Sequence, residues 1–118
     1  MIANLDIVDT RLDLSDERID ELPYGDASFE VVVANRVVTR SPDAQRVIAE
    51  IARVLMPGGK LALCDAVRRG PKGHPGAPPL FGYLHAVAAS GLALETCRSY
   101  GGPCITLIAE KQSAQDGL

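Results

Sequence analysis

Residues 5–14, LDIVDTRLDL, alternate in part between apolar and polar, with Leu5, Ile7, Leu12 and Leu14 as the apolar members, and predict a strand. Residues 15–28 are polar and acidic, and Ser15 is placed to cap one short helical turn over 16–21. Leu22-Pro23-Tyr24-Gly25-Asp26 then breaks regular structure, because Pro23 fixes φ and Gly25 relieves the turn. The β-branched run of residues 29–34 predicts a strand buried on both faces, as in a parallel sheet. Ser41-Pro42-Asp43 reads as a helix start, with Ser41 as N-cap, Pro42 at the first helical position and Asp43 at the positive end of the dipole. Ala44, Val47, Ile48, Ile51, Ala52 and Leu55 share one face of the helix that follows, over 42–56. Pro57-Gly58-Gly59 ends it, and Leu61–Cys64 is the next strand. Strand, helix, strand predicts a right-handed crossover between adjacent parallel strands.

The second half is punctuated more heavily. Residues 66–79 are rich in proline, glycine and basic side chains and predict a loop. Pro79 opens a helix through Ala89 with Leu80, Tyr83 and Val87 as its apolar stripe, and Gly91 caps it. Residues 92–100 and 105–110 predict two strands joined at Gly101-Gly102-Pro103, a hairpin expected to extend the sheet beyond Leu61–Cys64. The tail from Gln112 is polar and expected to fray.

Composition narrows the class. The 118 residues suffice for one domain, with 47% apolar and 23% charged residues in the ordinary globular balance. No apolar run approaches the ~20 residues of a membrane helix, so no membrane partner is expected. The first six residues hold neither a basic cluster nor a long apolar stretch, so no secretory signal is expected there. Net charge is −3, but residues 1–30 carry −7 and residues 31–118 carry +4. That acidic start is a solvated face or a docking surface for something basic. No basic stripe is interleaved with aromatics, so no nucleic acid is expected. Cys64, Cys97 and Cys104 form no C-x-x-C pair, and His74 and His85 have no third ligand in step, so neither a disulfide framework nor a metal site is expected. A reducing cytoplasm is the expected compartment.

Two motifs carry a resemblance. Residues 22–33, LPYGDASFEVVV, and residues 48–61, IAEIARVLMPGGKL, resemble the L-P-F-x-D-x-S-F-D and E-I-x-R-V-L-K-P-G-G signatures of class I S-adenosylmethionine-dependent methyltransferases, of the kind seen in ubiquinone and menaquinone biosynthesis (methyltransferase type 11). The likeness covers roughly residues 20–111, about the C-terminal half of such an enzyme. It implies an α/β fold: a partial Rossmann-like sheet of parallel strands with a C-terminal antiparallel hairpin. The chain then reads as one truncated methyltransferase-like domain, with an acidic strand and turn over 1–21, a family-like core over 22–111 and a tail over 112–118.

The departures bear on function. The resemblance implies S-adenosylmethionine as cofactor, held in the family by a glycine-rich loop after the first strand and a ribose-binding acid after the second. No G-x-G occurs in this chain, Asp16 and Asp20 only bracket the place of a further family acid, and Thr39-Arg40 stands where the family often has His-His. What the resemblance leaves is the wall toward the methyl end and the substrate. Its candidate cofactor-binding residues are Ala34, Asn35 and Arg36, and Tyr24 is a further cofactor-binding candidate, facing the adenine pocket. Three also have a plainer reading: Asn35 as a strand cap, Arg36 as a solvated loop residue and Tyr24 as an aromatic packed beside Pro23. Asp65 either orients a substrate group or caps a loop. Arg68, Arg69, Lys72 and His74 either meet an anion or an acidic partner, or are merely solvated.

Three functions remain open from the sequence: one subunit of a split methyltransferase, a scaffold that no longer binds cofactor, or a truncated enzyme. No methyl transfer by the chain alone is expected, because the rate of such a reaction comes from positioning the donor. The family's first strand normally flanks the strand at Phe29–Ala34, so Val31–Val33 is expected to present an unpaired edge. A homodimer is therefore expected, with a heterologous protein partner as alternative, unless strand 5–14 fills the vacant place.

Overall fold

The computed structural model describes residues 11–15, 21–68, 78–99 and 104–112. Five strands form one mixed sheet in the order β1-β2-β3-β5-β4: β1 Arg11–Ser15, β2 Phe29–Asn35, β3 Leu55–Ala66, β4 Leu92–Ser99 and β5 Cys104–Lys111. Strands β1, β2 and β3 are parallel neighbours, and β5 pairs antiparallel with both β3 and β4. Helix α1 (Ala44–Val54) bridges β2 and β3, and α2 (Leu80–Ala89) leads into β4. The α/β class, the parallel pair bridged by a helix and the hairpin beyond β3 all follow the sequence reading.

The expected open edge is not there. β1 lies beside β2 in register Arg11↔Val31 through Ser15↔Asn35, so backbone groups of Val31–Val33 find their partners within the chain. Unsatisfied donors and acceptors on a strand drive this pairing, and the segment at hand satisfies them. The short helical turn expected over 16–21 and the basic loop residues Arg69, Lys72 and His74 fall mainly outside the described residues, as does the Gly101-Gly102-Pro103 connection.

Three local expectations shift. Helix α1 starts two residues later than expected: Asp43, not Ser41, is the N-cap, and its Oδ1 accepts from the Arg46 N–H at 3.2 Å. Ser41 is instead buried, with its N–H donating to the Val38 carbonyl at 3.2 Å. The chain returns to extended backbone at Leu55, so the third strand includes Pro57-Gly58-Gly59 as an irregular stretch between Leu55, opposite Phe29, and Lys60, opposite Val31. In α2, Tyr83, Ala86 and Val87 are buried while Leu80 stays exposed, because the first turn stands past the end of β3.

The core is one-sided. Val32, Ala34, Leu61, Leu63, Ile105, Leu107 and Ala109 are buried with the inner face of α1. Their alternates Val31, Val33, Ala62 and Ile108 are half-buried, and no described helix covers that second face. Parallel sheets ordinarily carry layers on both faces, so this apolar face is unusual.

A polar clamp fixes the approach to β2. Arg53 donates through Nε and Nη2 to both oxygens of Glu50, through Nη1 to Asp26 and through Nη2 to the Leu22 carbonyl, while Glu50 accepts the Leu22 N–H at 2.7 Å. The Arg53 guanidinium holds the Glu50 carboxyl below the usual carboxylate range, assisted by the Leu22 N–H and opposed by burial. A depressed folded value stabilises above the unfolded value of about 4.3 and is lost as pH falls through the folded one. Urea midpoints at about pH 7 and about pH 3 should therefore differ less in Glu50→Gln than in the wild type. Equal pH dependence in the two proteins would contradict this role for Glu50.

Candidate functional site

In open α/β sheets, ligands gather outside the carboxyl ends of the strands. Here that rim is formed by Ser15, Asn35 and the segment from Asp65 onward, at the ends of β1, β2 and β3. Ser15, Asn35 and Cys64 are direct cross-strand neighbours. Asn35 is exposed, so its carboxamide is presented at the rim. Arg36 follows with φ +64, a left-handed turn stabilised by its N–H donating to the Cys64 carbonyl at 2.9 Å. That turn directs the chain off the sheet toward α1.

Asp65 organises the loop behind these residues. It is only 1% exposed. Its Oδ2 accepts from the Val38 N–H at 2.8 Å, and its Oδ1 from the Thr39 hydroxyl at 2.9 Å and the Ala66 N–H at 2.7 Å. A buried carboxylate needs such partners to offset its desolvation. Of the two readings open from sequence, the structure supports the loop-capping one: Asp65 faces the protein interior.

The four expected cofactor residues do not converge. Asn35 and Arg36 meet at the rim. Ala34 is fully buried, with its side chain on the helix-covered face. Tyr24 packs edge-on against Phe29, ring centroids 5.0 Å apart, at the opposite end of β2. Seven strand residues put that end about 20 Å from Asn35. Arg68, the described member of the basic group, is exposed beyond β3, and its N–H donates to the Pro78 carbonyl at 2.9 Å. It sits where the exposed Leu80 and Phe81 open α2. A separate depression of about 440 Å³, lined by Glu30, Val31, Met56 and Lys60 among others, lies at the far end of the sheet from Asn35.

A nucleoside-bearing methyl donor fits this rim only in part. Asn35 and Arg36 offer hydrogen-bonding groups on one side, but no glycine-rich turn or carboxylate aimed outward from the rim is present among the described residues. Among those residues no three His, Cys, Asp or Glu side chains cluster as a metal site, and no helix is long and apolar enough to cross a membrane. The sequence reading gave no weight to the cross-strand neighbours of Asn35 or to Thr39 as a partner of Asp65. Sheet register decides both, and register is not written in any local motif.

The comparisons with known proteins agree with this fold. A family profile described as a methyltransferase domain matches residues 2–63. An arsenite methyltransferase of Halobacterium salinarum is 45% identical over 53 residues, covering 45% of this chain and 14% of that protein. The solved [4+2]-cyclase SpnF superposes with a TM-score of 0.69 at 19% identity, covering 80% of this chain and 53% of that one. A SAM-dependent methyltransferase from Aquifex aeolicus superposes with a TM-score of 0.63 at 16% identity, covering 80% of this chain and 52% of that one. The chain thus spans about half the length of these solved proteins. Matched over more than half its length, the chain belongs to the methyltransferase domain family and is a methyltransferase-like domain related to S-adenosylmethionine-dependent methyltransferases.

Proposed function

We propose that this chain is the acceptor-side portion of an S-adenosylmethionine-dependent methyltransferase fold, and that donor binding requires further polypeptide on its uncovered sheet face. The observation that carries this reading is the pairing of an exposed Asn35–Arg36 rim with a half-buried apolar face that no described helix covers. In this reading Asn35 and Arg36 meet the methyl end of the donor, and the glycine-rich cradle comes from elsewhere. The covering layer is a second copy of this chain or a different protein. The cytoplasm is the proposed compartment, where free thiols persist.

Calorimetric titration of the isolated chain with S-adenosylmethionine tests this. No heat of binding is expected at micromolar donor. Micromolar affinity would overturn the reading, and turnover abolished by Asn35→Ala would place a complete site on this chain. A scaffold role is the second reading, since fold alone does not fix chemistry.

A further inference from the structure

The strand register brings together two thiols that are forty residues apart in sequence. Cys64 on β3 lies opposite Thr106, and Ala66 lies opposite Cys104 on β5. Residues opposite one another, and those two positions along, project from the same side of a sheet. Cys64 and Cys104 therefore form a diagonal pair on the face that no described helix covers. Both are free and exposed. The third cysteine differs: Cys97 lies opposite the buried Leu107 and packs against the core on the other face. The buried Tyr83 hydroxyl donates to the Ala66 carbonyl from the helix-covered side, and burial holds it well above its usual range.

The spacing selects the chemistry. Diagonal neighbours have Cα atoms about 7–8 Å apart, with Cβ atoms somewhat closer. A disulfide requires Cβ atoms about 3.5–4.5 Å apart, so the pair is too wide to be joined without moving the backbone. An ion between two sulfurs relaxes that limit: two metal–thiolate bonds of about 2.3 Å each separate the sulfurs by up to about 4.6 Å. Zinc demands four ligands, and no third His, Cys, Asp or Glu joins the pair among the described residues. A soft ion that is content with two thiolates matches the donor set.

We propose that Cys64 and Cys104 together form a two-thiolate site for a soft monovalent ion such as Cu(I). The site lies beside Asn35 on the face that the proposed function leaves for further polypeptide, but its test reads ion binding by the isolated chain, so its failure is distinguishable from the failure of that reading. Binding displaces the two thiol protons and leaves the oxidation state of metal and sulfur unchanged.

The test is an anaerobic titration of the purified chain with Cu(I) against a competing chelator. One ion per chain is expected. Loss of an outer-sphere partner alone weakens metal sites about 10–100-fold, so Cys64→Ser and Cys104→Ser should each cost more than about 100-fold. Cys97→Ser should bind like the wild type. Unchanged affinity in Cys64→Ser would overturn the site, as would one ion per two chains, which would mean bridging between molecules. Should a variant fail to fold, alkylation of the wild type decides the matter. Bound Cu(I) should shield Cys64 and Cys104 from iodoacetamide while leaving the rate at Cys97 unchanged, and equal rates with and without the ion would refute the pair.

Discussion

Replacing Asp65 by alanine is expected to lower the stability of the chain by about 3 kcal/mol, a large fraction of the 5–15 kcal/mol typical of a domain. The carboxylate receives three hydrogen bonds, from the Val38 and Ala66 N–H groups and the Thr39 hydroxyl. Val38 is 1% exposed, so its N–H cannot turn to water when the acceptor is removed. A buried donor left unsatisfied costs about 1–3 kcal/mol, and the lost charge-assisted bonds add to that. With a urea slope of about 2 kcal/mol/M, the midpoint should fall by about 1.5 M. Asp65→Asn keeps the shape but replaces one acceptor oxygen with an N–H₂ donor, so it should fall between the two. A midpoint for Asp65→Ala within about 0.3 M of wild type would show that the loop finds other partners. The effect reaches the candidate site, because the loop that Asp65 holds begins at Arg36.

Gly59→Ala should cost about 3 kcal/mol for a different reason. A Cβ at this position would lie 2.8 Å from the Met56 carbonyl oxygen, 2.9 Å from the Glu30 carbonyl oxygen and 3.1 Å from Leu55 Cδ2. Two of those three are main-chain atoms in or beside paired strands, and they cannot swing aside as a side-chain tip would. Overpacking usually costs about 1–3 kcal/mol, and a clash with backbone belongs at the upper end. Gly58 provides the comparison. Its φ is +83 and nothing lies within 4 Å of its Cβ position, so Gly58→Ala should cost only the left-handed penalty of about 1–2 kcal/mol. Chemical denaturation of the two variants separates close approach from conformational freedom. If Gly58→Ala proves the more damaging, the steric account of Gly59 is wrong.

Much of the architecture is legible in the sequence. The apolar face Val47, Ile48, Ile51 and Ala52 has the period of a helix, and Val31–Val33 and Leu61–Leu63 have the β-branched and apolar density of central strands. Those patterns are local, because each is imposed by the geometry of one element. The family motifs at 22–33 and 48–61 sit on these same elements, which is why they too could be read from the chain alone.

The tertiary structure decided what depends on pairing and depth. Sequence left the edge of β2 to a second copy or to strand 5–14, and backbone hydrogen bonding closed it with β1, which begins within that strand. Sequence offered Tyr24 toward an adenine pocket and Asn35 toward the methyl end, and strand length sets how far apart the two lie, at opposite ends of β2. It left Asp65 between a substrate role and a capping role, and burial against Val38 and Thr39 resolved that choice. It found no C-x-x-C pairing for Cys64 and Cys104, whereas antiparallel register put both on one exposed face. Periodicity is a property of one element and is visible in one dimension. Which elements meet, which of their faces stay bare and which side chains become neighbours follow only when the whole chain satisfies its backbone groups at once.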